Sequence, residues 1–188
     1  MPVADRLSLD LLSRAVEQTG ATIAGVKPEQ ATLPTPCTEW DVRALVNHTV
    51  FDLKLFESIV HGAERPTPDE NLIGDDWLAT YNQASRSLLD AWQRHGESGV
   101  MQLGRLGEVP ATWAIGQHVA DIAVHGWDIA RATGQPTELD PDVGQVALEW
   151  AKASLKPEFR GQAFGPEVTV PENTPLYDRL AAFFGRTP

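Results

Sequence analysis

Within the stretch HVADIAVHGWDIARATG, residues 118–134, His118, Asp121 and His125 follow one another at intervals of three and four. On a helix, such spacings put side chains on one face. Asp121 and His125 therefore point the same way, with His118 further along the stripe. Their neighbours Val119, Ile122, Val124 and Ile129 are apolar, so three titratable groups there are costly unless paired or bound to something. An earlier segment offers the partner. Leu45, His48, Asp52, Leu55 and Ile59 repeat at intervals of 3, 4, 3 and 4, which puts His48 on an inward seam. If the two helices cross, His48, Asp121 and His125 bring two imidazoles and a carboxylate to one divalent cation. Three protein ligands leave a position open for water or substrate. Zinc leads, with nickel or iron as alternatives. Such a centre lowers the pKa of a bound water or thiol. His118, Asp52 and Asp128 are expected to orient the ligands by hydrogen bonding. Each residue also has a plainer reading. Asp and His four apart form ordinary ion pairs; a fourth ligand or a satisfied core histidine are the other readings of His118, and solvated surface charges those of Asp52 and Asp128.

The elements that must position these groups are helical. Residues 4 to 24 place Leu7, Leu11, Leu12, Ala15, Val16, Thr19 and Ile23 on one face. After the proline-rich KPEQATLPTPC, a second helix is predicted from Thr38 as N-cap, with Asp41 three residues on, to about His61 with Gly62 as its stop. A third is predicted over 74 to 95. Residues 97 to 109, with Gly104 and Gly107, read as a small hairpin or an extended loop. The fourth helix runs from Pro110 or Ala111 to Thr133 and closes at Gly134. A fifth follows Asp140-Pro141 to about 154, and a last covers 175 to 185. Gly126 falls inside the fourth helix, where glycine costs about 1 kcal/mol relative to alanine. A close backbone approach would account for it. The expected fold is all-α: one domain over 1–188, a four-helix bundle with extra helices at its C-terminal end.

Composition excludes several roles. The formal charge of -11 opposes phosphate backbones and anionic membrane surfaces, so neither nucleic acid nor membrane is an expected partner. The single cysteine, Cys37, forbids an internal disulfide, and with no signal peptide or membrane-spanning run the expected location is the cytoplasm. Cys37 has no evident partner base and is read as structural. GRLGEVPATWAIG lacks the lysine of a phosphate loop, and no serine sits in a nucleophile elbow.

Three segments, TPCTEWDVRALVNH, HGWDIARATGQP and FGPEVTVPENTPLYDRLAAFFGRTP, resemble actinobacterial members of the DinB-like metal-binding superfamily. The resemblance is to the branch of the N-terminal domain of mycothiol-dependent maleylpyruvate isomerase, and it covers nearly the whole chain. It implies an up-down-down-up four-helix bundle. It also implies a metal held by one histidine on the second helix and by a pair four apart on the fourth, a pattern that falls on His48, Asp121 and His125. Many relatives have histidine or glutamate where Asp121 stands; aspartate reaches less far.

The resemblance further implies a mycothiol-dependent S-transferase or isomerase, with mycothiol as cosubstrate and an electrophilic small molecule as the second partner. The maleylpyruvate reaction itself is not carried over. That isomerase has a further C-terminal domain, and here about 55 residues follow the fourth helix. A metal-dependent hydrolase, with Asp52 or His118 as base, and a non-catalytic stress-response module are the alternatives. The chain is expected to be a monomer or a homodimer.

Overall fold

A computed structural model describes residues 2–61, 65–67, 70–103, 107–157, 160–161 and 164–188. Helix α1 covers Leu9–Ala24. It starts later than its periodicity suggests, because Ser8 is extended and its Oγ accepts the Leu11 N–H at 3.2 Å, a stop to the preceding 3-10 turn over Val3–Arg6. Helix α2 covers Val42–His61. Thr38 is not its cap. Residues 37–40 form a turn closed by Trp40 N–H to Cys37 O at 2.8 Å, and Pro34 pairs with Asp41 across the loop. Asp41 Oδ1 then accepts the Ala44 N–H at 2.8 Å and takes over the capping role. Helix α3 covers Trp77–His95, capped by Asp76. Strands β1 (Val100–Gln102) and β2 (Glu108–Pro110) form the expected antiparallel hairpin, with Met101 opposite Val109. Gly62 and Gly104 lie outside the described residues.

Helix α4 covers Ala111–Thr133 and ends at Gly134, which adopts the left-handed conformation at φ 70° that closes a helix. Helix α5 covers Pro141–Ser154, its first N–H groups held by Asp140, and α6 covers Leu176–Phe183. Round the bundle, α1 packs on α4 and α3, and α2 packs on α3 and α4; α5 covers α4, and α6 packs against both α5 and α4. The fold is all-α with a two-stranded hairpin. No helix among the described residues is long and apolar enough to cross a membrane.

Two details matter for the site. The dry core face of α2 is Val42, Leu45, Val46, Val50, Leu53 and Phe56. The stripe Leu45, His48, Asp52, Leu55 and Ile59 shares only Leu45 with that face; His48, Leu55 and Ile59 are half-buried. That stripe therefore sits on the flank, where polar groups stay in reach of a cleft. On α4, a Cβ at Gly126 would stand 2.6 Å from Thr19 Oγ1 of α1, whose hydroxyl donates to Ile122 O at 3.1 Å. The close approach that the buried glycine suggests is this α1–α4 contact.

Candidate metal centre

The flank of α2 and the inner face of α4 open onto a cavity of about 740 Å³, whose wall includes Trp40, His48, Asp52, Asp121, His125 and Arg186. The rings of His48 and His125 meet edge to face, centroids 5.1 Å apart. His48 Nε2 lies 2.8 Å from Asp52 Oδ2, and His125 Nε2 lies 3.7 Å from Asp121 Oδ1. One ligand atom each from His48, Asp52 and His125 all fall within 4.8 Å of one another. Asp121 stands beside this set, in hydrogen-bonding relation to Asp52. The sequence expectation placed Asp121 as the carboxylate ligand and Asp52 as an orienting group. In the fold both carboxylates face the histidines, and Asp52 makes the tighter cluster. One turn separates His48 from Asp52 on α2, as it does Asp121 from His125 on α4, so each helix contributes one imidazole and one carboxylate.

Electrostatics reflect this crowding. Burial pushes Asp121 up to about 7, with the neighbouring Asp52 charge adding to the effect. Burial likewise raises Asp52 to about 6, although His125 and Asp121 pull the other way. His48 is lowered to about 4, by burial first and then by the charge of His125, so its imidazole is neutral at pH 7. A neutral imidazole is the form that ligates a metal. Both carboxyl groups are raised chiefly by burial, and a divalent cation bound there would offset the cost of holding them ionised away from water. Metal–ligand bonds of roughly 2.0–2.2 Å put adjacent donor atoms about 3 Å apart, the scale of the His48–Asp52 approach. The donor set thus fits a divalent metal.

His125 is held from behind. Its Nδ1 meets Asp128 Oδ2 at 3.2 Å, and Asp128 is fully buried. Burial opposes charge on His125, but the hydrogen bonds to Asp128 and Cys37 outweigh it and raise its pKa well above 6.5. Nδ1–H to Asp128 leaves Nε2 facing the cavity, the arrangement in which a carboxylate fixes the tautomer of a ligating histidine. A metal at Nε2 would displace a proton, so binding here would release protons. Asp128 in turn accepts two donors of Arg186, Nη2 at 2.8 Å and Nε at 3.2 Å. Although burial raises Asp128, His125 and Arg186 together bring it below its ordinary value.

Arg186 was missed by sequence reasoning. It lies in the C-terminal FFGRTP, outside any periodic pattern. Its Nη2 also donates to Cys37 Sγ at 2.8 Å, and the thiol donates to Asp128 at 3.2 Å. Cys37 is therefore tied to a buried charge network as well as to its loop. Cys37, His125 and Asp128 bring ligand atoms close enough for a metal, but the guanidinium already supplies the positive charge in that corner. Trp40 was missed too. Its ring lies 4.1 Å from that of His48 and 6.1 Å from that of His125, and it forms one wall. Its proximity depends on the 34–41 bridge, which no sequence signal announced.

His118 is not an orienting group here. It is fully buried, stacked on Phe56 with centroids 3.6 Å apart, and accepts the Trp92 Nε1–H at Nδ1 over 3.3 Å. No hydrogen bond ties it to His48, Asp121 or His125 among the described residues. Three residues from Asp121 is nearly a whole turn, and the remaining angle is enough to turn His118 into the aromatic core.

The chain matches the family described as "Mycothiol maleylpyruvate isomerase N-terminal domain" over residues 12–130. Two uncharacterized proteins from two strains of Mycobacterium tuberculosis are each 35% identical over 177 residues, covering 93% of this chain and 94% of theirs. The crystal structure of a histidine-to-alanine mutant of mycothiol-dependent maleylpyruvate isomerase is similar at a TM-score of 0.59 and 15% identity, covering 78% of this chain and 68% of that one. At that identity the likeness is one of fold, and it supports the DinB-like bundle. The chain belongs to the mycothiol maleylpyruvate isomerase N-terminal domain family.

Proposed function

We propose that this chain is a metal-dependent enzyme acting on a low-molecular-weight thiol, mycothiol being the one that the family points to, and transferring its sulfur to an electrophilic small molecule or isomerising the adduct. The observation that carries this reading is the convergence of His48, Asp52, Asp121 and His125 on one open cavity. His48, His125 and one or both carboxylates would hold the ion. A divalent metal there supplies a lowered pKa to a thiol that reaches it. Asp128 keeps Nε2 of His125 turned toward the cavity, and Trp40 limits the ring of His48 to one side. Whichever of Asp52 and Asp121 is left free of the ion would take up the thiol proton and return it to the product.

The same carboxyl pair favours one second reading, a metal-dependent hydrolase in which Asp52 or Asp121 accepts a proton from water. His118 drops out as a base in that reading, since it is stacked in the core.

Elemental analysis of the chain purified without chelator is the first test, followed by mycothiol and an electrophile panel with and without added metal. About one divalent ion per chain and thiol-dependent, metal-dependent conjugation are expected. Absence of bound metal at stoichiometric zinc, nickel and iron would overturn the reading. Turnover of esters or amides that does not need thiol would favour the hydrolase.

A further inference from the structure

Charge is spread unevenly over the wall of the cavity. Glu39, Asp52 and Asp121 bring carboxyl groups to it, and Arg186 is the one lysine or arginine that lines it among the described residues. That guanidinium is already engaged. Its Nε donates to Asp128 Oδ1 at 3.2 Å, its Nη1 to Phe184 O at 3.1 Å, and its Nη2 to Asp128 Oδ2 and Cys37 Sγ, each at 2.8 Å. Only 8% of the residue is exposed. The imidazoles have carboxyl partners as well: His48 Nε2 meets Asp52, and His125 lies between Asp121 and Asp128. Arg160 lies over the Phe164 ring, 5.4 Å from its centroid, with Nη1 held by the carbonyls of Gly165 and Phe183, and is not part of the wall.

Other parts of the wall are apolar. Leu55 stands three residues after Asp52 on α2, half-buried and outside the core cluster. Leu155, at the end of α5, and Phe164 are half-buried too, and Phe164 meets Phe184 edge to face at 5.4 Å. A cavity of about 740 Å³ is of the size that holds a small molecule. Apolar surface on that molecule gains from contact with these side chains. A carboxylate brought among carboxyl groups with no free cation leaves its charge unpaired. We propose that the substrate that meets the thiol here is an uncharged, apolar electrophile, and that the wall discriminates against molecules bearing a carboxylate. That the ligand is an electrophile rests on the thiol reading above; that it is uncharged rests on the wall alone.

Acetophenone and benzoate test this, because they share a ring and a carbonyl and differ where a methyl group replaces a charged oxygen. The full chain, freed of metal so that carboxylate ligation does not enter, is titrated with each. Binding is followed by the methyl carbon-13 NMR resonances of Leu55 and Leu155, assigned through their loss in Leu55→Ala and Leu155→Ala. Acetophenone should move both resonances and bind about tenfold more tightly than benzoate, a modest value for a like-charge mismatch because the cavity is open to solvent. Leu155→Arg, which adds an unpaired guanidinium to the wall, should bring benzoate level with acetophenone while circular dichroism stays unchanged. Leu55→Ala should weaken acetophenone severalfold through lost apolar contact. The proposal is overturned by benzoate binding the parent chain as tightly as acetophenone, by no response to either at millimolar ligand, by acetophenone binding indifferent to Leu55→Ala, or by a folded Leu155→Arg chain with benzoate unimproved. A parent chain that favours acetophenone yet forms no metal-dependent thiol conjugate overturns the thiol reading and leaves the preference of the cavity standing.

Discussion

Two histidines on α4, seven residues apart, end in opposite electrostatic states. His118 and His125 are both buried. His118 sits between Phe56 and Trp92, with one weak neutral donor and no charge, and burial alone lowers its pKa to about 3. His125 faces carboxylates on two sides, Asp128 behind and Asp121 ahead, and is raised well above 6.5 in spite of its burial. Burial sets the penalty for charge; partners decide whether it is overcome. The His118 corner therefore reads as packing, and the His125 corner as a place built around charge.

The hardest blow to this contrast is Asp128→Ala. It strips His125 of its support and strands Arg186 in the interior, so stability should fall by about 3–5 kcal/mol in urea unfolding. By NMR titration of the metal-free chain, His125 should then move down toward the range of His118. An unchanged His125 would mean that Asp128 is not what holds its charge. Next is the pair His125→Phe and His118→Phe, read by zinc affinity. The first should lose at least about a hundredfold, beyond the effect of losing an orienting partner, while the second should stay close to the parent chain. Equal losses would erase the distinction between the two corners.

The smallest effect concerns pH. The folded pKa of His118, about 3, lies below its ordinary 6.5, so the unfolded chain takes up that proton first. Stability from this group is present above pH 6.5 and is lost as pH falls toward 3. His118→Phe should remove up to about 1.4 kcal/mol per pH unit from the acid slope in that window. Asp121 works in the opposite sense. Its folded pKa, about 7, is above 3.8, so its contribution is present at low pH and is lost as pH rises from 3.8 to 7. In the metal-free chain Asp121→Asn should flatten the descending side near neutrality. An unchanged slope in either variant would contradict the burial assigned to that group.

Much of the fold was legible because helical period and end signals are local. Asp140-Pro141 and Gly134 fell where expected. The start of α2 did not, because Thr38 is captured by a loop whose Pro34–Asp41 bridge is a long-range decision. Spacing put His48, Asp121 and His125 on facing seams, and the fold brings them to one cavity. It could not separate Asp52 from Asp121 as the closer carboxylate, since both are one turn from a histidine. Gly116 and Gly126 are the sequence traces of close approach, by Trp150 and by Thr19 respectively.

What the sequence alone determined is which residues share a helix face, because 3.6 residues per turn follows from backbone geometry whatever the helix packs against. Only the tertiary structure decided what each face meets. It sent His118 into an aromatic stack, brought Arg186 from the far end of the chain to Asp128, and laid the Trp150 ring against Gly116. Those choices depend on how helices cross and how loops close, and no spacing along one helix encodes the chemistry of its neighbours.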